Sequence, residues 1–123
     1  MDFHSTVIKH LDSIQTKDLE SFLQTLSDQT AISVIMPNGR LFEGYEDVAA
    51  LNKDWFADED WSFNYILVKA ESTHEMGYAV AEIDYHDLDQ DGNAYKKIYY
   101  LTLLFKKLGN TWVLVHDQNT FTN

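Results

Sequence analysis

Between residues 61 and 119 the chain carries four strand-like segments in immediate succession, and nothing else in the sequence constrains the fold as much. They run over about 61–73, 77–87, 95–107 and 111–119, separated by Glu75-Met76-Gly77, by Asp87 to Asn93, and by Leu108-Gly109-Asn110. Connections this short leave no room for a crossover, so sequential strands must pair antiparallel as a meander. Two of the segments, Tyr65-Ile66-Leu67-Val68 and Ile98 to Phe105, are apolar on both faces. A sheet with one wet face would alternate instead. One face must cover the rest of the chain. The other is expected to pack on the same face of a second copy, giving a homodimer through the outer side of the sheet.

The first half of the chain supplies what the sheet covers. Phe3, Val7, Leu11 and Ile14 recur at helical spacing and predict a helix over about 3–15. Thr16 is a candidate N-cap for a second helix, whose apolar face is Leu19, Phe22, Leu23 and Leu26. From Thr30 the period changes to two: Ile32, Val34 and Met36 alternate with Ala31, Ser33 and Ile35. Pro37-Asn38-Gly39-Arg40 then reads as a hairpin turn, because Asn-Gly supplies the positive φ angles a tight turn needs. A return strand, Leu41 to Glu43, ends at Gly44, and a third helix follows over about 46–57. Val48, Leu51, Asn52, Trp55 and Phe56 share one side of it. The expected class is α+β, one domain over 1–123, with neither repeat nor linker to divide it.

Composition excludes several classes of function. A net charge of −11 argues against nucleic acid, whose recognition depends on clustered Lys and Arg. Lys96, Lys97, Lys106 and Lys107 lie at the two ends of one strand, as solvating edge charges do. The absence of cysteine removes disulfides and thiolate metal sites. No basic leader and no bilayer-length apolar run occurs, so a cytoplasmic protein without membrane contact is expected. With no glycine-rich phosphate loop, no nucleotide, flavin or haem is expected, and no other cofactor.

Motif order adds a further reading. Pro37-x-Gly39, then Gly44, then a tryptophan-bearing helix, and finally Gly109-x-x-Trp112-x-Leu114-Val115-His116-Asp117 follow one another over nearly the whole chain. This arrangement resembles the SnoaL-like branch of the nuclear-transport-factor-2-like superfamily. The resemblance implies a cone-shaped curved antiparallel sheet wrapped over N-terminal helices, open at one end, and a homodimer packed sheet to sheet. Relatives of this kind include polyketide cyclases, ketosteroid isomerases, dehydratases and non-enzymatic association domains, so the fold alone does not select a chemistry.

Candidate site residues concentrate on the last strand. Strict alternation puts Trp112, Leu114, His116, Gln118 and Thr120 on one face, and Val113, Val115, Asp117 and Asn119 on the other. By resemblance the first face points inward. His116 and Gln118 then lie in the pocket, with His116 as general acid or base because histidine titrates near neutrality. Asp117 is the rival base, since a carboxyl in an apolar cone has its pKa raised, but alternation turns it outward unless a bulge intervenes. The cyclase pattern places a histidine on the preceding strand; here that strand offers Tyr99, Tyr100 and Thr102. Tyr45, Trp55, Phe56, Trp61 and Phe63 form the aromatic wall expected to hold an apolar ligand. Of these Tyr45, Trp55 and Trp61 are the expected ligand contacts, with Tyr99 and Gln118 orienting an oxygen.

Two metal-like patterns read as structure. His86 beside Asp84 lacks the tight spacing of a ligand set, so no metal is expected. Asp87-Leu88-Asp89-Gln90-Asp91-Gly92 begins like a calcium loop, but its twelfth position is Ile98 and its flanks are strands. A hairpin connection accounts for it. Two functions stay open: a pocket for a hydrophobic or aromatic small molecule with proton-transfer chemistry, and a non-enzymatic dimeric binding or association module.

Overall fold

The computed structural model describes residues 1–28 and 31–122. The period change expected at Thr30 lies outside the described residues. Helix α1 spans Phe3–Gln15, and Asp2 caps it by accepting from the Ser5 N–H at 2.8 Å. Its buried face is Phe3, Val7, Leu11 and Ile14, the 3–4 spacing read from the sequence. Helix α2 spans Leu19–Gln24 and is capped by Asp18, not by Thr16. Thr16 instead closes α1, its N–H and hydroxyl both donating to Asp12 O at 2.9 Å. Lys17 turns the chain at φ 57°, which delays the new helix by two residues. Asp18 then accepts from both the N–H and the hydroxyl of Ser21, filling the orphan-donor position that a threonine further back cannot reach.

Strands β1 (Ser33–Ile35) and β2 (Leu41–Glu43) form the expected hairpin, with Gly39 at φ 88° and its N–H bonded to Met36 O. Helix α3 covers Tyr45–Ala57 and starts on Gly44, whose φ of 89° few other residues adopt without strain. The meander follows as β3 (Ser62–Ser72), β4 (Met76–Leu88), β5 (Ala94–Leu108) and β6 (Thr111–Phe121). The six strands make one sheet in the order β2-β1-β6-β5-β4-β3, antiparallel except where β1 runs parallel to β6. It curves over the helices without closing. Its concave face contributes Phe63, Ala79, Ala81, Ile83, Leu101, Leu103 and Phe105 to one buried core that also holds Val7 and Leu11 of α1. Close approach requires Gly77, where a Cβ would run into the Phe3 ring.

The two-faced strands are as expected. Phe63 and Leu103 are buried inside, while Ile66 is 67 % exposed, Val68 58 % and Tyr100 41 % on the convex side. The Asp87–Asn93 connection is a hairpin turn: Asp89 Oδ1 accepts the N–H groups of Asp91 and Asn93 at 2.9 Å, and Gly92 sits at φ 80°. No helix among the described residues is long and apolar enough to cross a membrane.

Candidate functional site

Strand β6 does not alternate along its whole length. Leu114 pairs with Phe105 and His116 pairs with Leu104, so Val115 is an extra residue with no partner opposite. A bulge of this kind shifts the two-residue phase of everything that follows it. Trp112 and Leu114 stay on the concave side with Phe105. Beyond the bulge Asp117 pairs with buried Leu103 and Asn119 with buried Leu101, so these two now face inward. His116, Gln118 and Thr120 pair with Leu104, Thr102 and Tyr100 on the convex side. The expected placement of His116 and Gln118 in the pocket is therefore corrected, and Asp117 takes their place.

The concave side opens into a cavity of about 900 Å³ between α3, the β1–β2 turn and the strands β4 to β6. Phe22, Leu26, Val34, Val48 and Leu114 make an apolar floor. Asp117 is set in that lining beside Val34, its neighbour in the parallel β1–β6 register. Asn119 Nδ2 donates to Asp117 Oδ1 at 2.6 Å and to Ile35 O at 3.0 Å, so the amide is anchored to β1 while it holds the carboxyl. Burial pushes the Asp117 carboxyl up from 3.8 to about 7, and the Asn119 hydrogen bond pulls it back only in part. Asp117 keeps some surface, but that surface faces the cavity, and its packed neighbours are apolar; the upward direction follows.

Tyr99 lines the same cavity and is almost fully buried. Burial first, then the Asp117 and Tyr85 charges, hold its phenol far above the usual tyrosine range, so it remains a hydrogen-bond donor. Trp55 also lines the cavity, and its Nε1 points at the Tyr85 hydroxyl at 3.4 Å. Tyr85 in turn donates to Asp87 Oδ2 at 2.6 Å. Trp61 is 2 % exposed and does not reach the cavity. It stacks on Trp55 at 4.0 Å and 13°, donates from Nε1 to Trp55 O at 2.7 Å, and carries Lys17 Nζ 4.0 Å over its ring. Its part is to hold Trp55, because the turn between the two tryptophans folds one back upon the other.

Tyr45 stands apart from these residues. At the start of α3 it borders a separate, more polar recess of about 680 Å³, formed with Leu23, Gln24, Leu108 and Val113. His116 is held on the convex face, Nδ1 bonded to Ser33 Oγ at 2.7 Å and Nε2 to Gln118 Oε1 at 3.1 Å. His86 is remote from it. Through Leu104 the His116 position registers with Tyr78, eight residues along β4, or about 26 Å of strand. His86 Nε2 lies 2.9 Å from Asp84 Oδ1.

Of the expected site residues, the cavity thus gathers Asp117, Tyr99 and Trp55, and leaves out His116, Gln118, Trp61 and Tyr45. Sequence reasoning missed Asn119 and Tyr85. Asn119 carried a signal, since it lies two residues from Asp117 and shares its face. Tyr85 carried none stronger than its place on a strand rich in aromatic neighbours.

An unclosed, six-stranded curved sheet wrapped over N-terminal helices around an open cavity defines an α+β cone of the cystatin-like, nuclear-transport-factor-2-like class. The chain belongs to the SnoaL-like domain family, whose model matches residues 5–122. No curated protein gives a significant match to the sequence. Solved structures similar to it include an uncharacterized protein with a cystatin-like fold from Caulobacter vibrioides, at 17 % identity and TM-score 0.83, covering 98 % of this chain and 87 % of that one. A ketosteroid isomerase-like protein from Erwinia carotovora atroseptica has 13 % identity and TM-score 0.81, with 98 % and 94 % covered. The association domain of CaMKII from C. elegans has 18 % identity and TM-score 0.66, with 95 % and 91 % covered. At these identities the likeness carries the fold and not the chemistry.

Proposed function

We propose that the chain binds a small molecule with an apolar body in the concave cavity and moves a proton on it through Asp117, without a cofactor. The reading rests on one observation: a carboxyl set in an apolar cavity of about 900 Å³, its pKa pushed to about 7. A base with that pKa is half ionised near neutrality, where the product of availability and basicity is greatest. As a carboxylate Asp117 would take a proton from carbon next to a carbonyl. The Tyr99 phenol, kept protonated, would donate to the oxygen on which charge develops. Asn119 positions the carboxyl and leaves its second oxygen to the substrate. The solved structure described as ketosteroid isomerase-like shares the container, and this reading supplies a chemistry of the same general kind.

The test starts from whatever small molecule is retained by the purified protein, identified by mass spectrometry. Exchange of its acidic C–H for deuterium, followed by NMR, should require the protein and rise with pH through about 7. Asp117→Asn should abolish the exchange while leaving the ligand bound. Full exchange in Asp117→Asn would sink the proposal.

A second reading concerns the convex face, where Ile66, Val68 and Tyr100 remain exposed. Apolar residues so arranged on a sheet favour a partner sheet, and we propose a second copy of this chain as the occupant. One of the similar solved structures is an association domain. Sedimentation should give a dimer that Ile66→Glu with Tyr100→Glu converts to a folded monomer. A parent protein that sediments as a monomer at all concentrations would rule this out.

A further inference from the structure

The floor and the mouth of the cavity differ in charge. The floor is buried and apolar, whereas the exposed residues that ring the opening include Asp54, Asp58 and Asp89. Lys97 is the one cation among the described lining residues. Asp54 lies in the last turn of α3 and Asp58 is its C-cap, where the helix's terminal carbonyls add negative potential. Asp89 comes from the β4–β5 turn. None of the three carboxylates belongs to an ion pair among the described residues. Two are fixed in place: Asp58 Oδ1 accepts the Asp60 N–H, and Asp89 Oδ1 accepts those of Asp91 and Asn93.

The same lining carries aromatic faces, from Trp55, Tyr85, Tyr95 and Phe121. This end of the molecule already seats ammonium groups on rings. Lys97 Nζ lies 5.3 Å from the Phe121 centroid, and Lys17 Nζ lies 4.0 Å from that of Trp61. An ammonium over an aromatic face is attracted by the ring quadrupole, and nearby carboxylates add to that attraction. The chain's net charge of −11 raises the local concentration of cations before they dock. An anionic ligand would meet three carboxylates, offset by Lys97 in the lining and by Lys17, whose Nζ already donates to Asp58 O at 2.7 Å.

We infer that the cavity takes a cationic ligand, with an amine or quaternary ammonium head held at the mouth by Asp54, Asp58, Asp89 and the aromatic faces, and an apolar body directed inward. This rests on the reading of the cavity as a ligand site. The full chain is titrated with three probes of similar size: benzyltrimethylammonium, its neutral isostere neopentylbenzene, and 3-phenylpropanoate. Tryptophan fluorescence reports occupancy through Trp55. The cation should bind about tenfold or more tighter than the neutral probe, and the carboxylate weakest of all. Combined Asp54→Asn, Asp58→Asn and Asp89→Asn should remove most of that preference without changing the neutral probe's affinity; all three positions are exposed, so the fold is not at stake. A neutral or anionic probe binding as tightly as the cation would overturn the charge preference and leave the ligand site standing. A cation preference untouched by the triple substitution would overturn the assignment of the three aspartates. No binding of any probe at millimolar concentration would overturn both readings together.

Discussion

Asn119 Nδ2 donates to Asp117 Oδ1 at 2.6 Å, across one intervening residue of the same strand. The two side chains share a face by simple alternation, and that face is the concave one because both lie beyond the bulge. The hydrogen bond favours the charged carboxylate, while burial favours the neutral acid, and burial is the larger effect.

The consequence for stability has a definite sign. The folded pKa of Asp117, about 7, lies above its ordinary 3.8, so between those values the folded chain holds the proton more tightly than the unfolded one. Stability must therefore fall as pH rises through this window. Asp117→Asn, which cannot ionise, should equal the parent below the window. Above it the variant should be more stable by about 1–3 kcal/mol, less than the full shift because the carboxyl borders the open cavity. Urea melts at several pH values give the difference directly.

His10 works in the opposite sense. It is fully buried between α1 and α2, and burial drives its pKa from 6.5 to about 3. Thr25 Oγ1 donates to Phe22 O at 2.6 Å, so toward His10 it accepts, and the ring's proton is on Nδ1. Nε2 has no hydrogen-bond partner among the described residues. The unfolded chain binds protons more readily here, so this contribution to stability is complete above 6.5 and is lost as pH falls toward about 3. His10→Leu should reduce acid sensitivity in that range, gaining on the parent by about 2 kcal/mol near its lower end.

Trp61 acts through Trp55. Trp61→Ala removes a buried indole and its stack, and should cost about 3–5 kcal/mol. Trp61→Phe keeps a ring against Trp55 but loses the Nε1–carbonyl bond, and should cost about 1–2 kcal/mol. Thermal melts separate the two contributions. The emission of Trp55 should shift to the red only in the alanine variant.

The bulge can be tested by deletion. With Val115 removed, Leu114 can pair with Phe105 and His116 with Leu104 in unbroken alternation, and Asp117 stays inward opposite Leu103. The deletion should keep the elevated Asp117 titration seen by carboxyl-carbon NMR. A regular strand at this position would predict the reverse, with Asp117 carried to the convex face and its titration returned toward 3.8.

Much of the container is legible in the sequence. Helices α1 and α3, the Asn-Gly hairpin and the four-strand meander each follow from local periodicity and turn chemistry, which depend on neighbouring residues alone. The Ile66, Val68 and Tyr100 surface was legible for the same reason. Thr16 was misread because a cap depends on where the preceding helix stops, and Lys17 moved that point. Trp61 was misplaced because a residue six positions from Trp55 is adjacent to it only after the turn closes.

The sequence by itself determined the strands, their antiparallel succession and the aromatic supply of the cavity. Which of two consecutive residues, His116 or Asp117, enters that cavity was decided by tertiary structure. Alternation is a property of one strand, but a bulge is a property of a pair: Val115 is an extra residue only with respect to Leu104 and Phe105 across the ladder. Packing Leu114 and Asp117 on the same concave face requires that extra residue, and no local pattern around Val115 announces it.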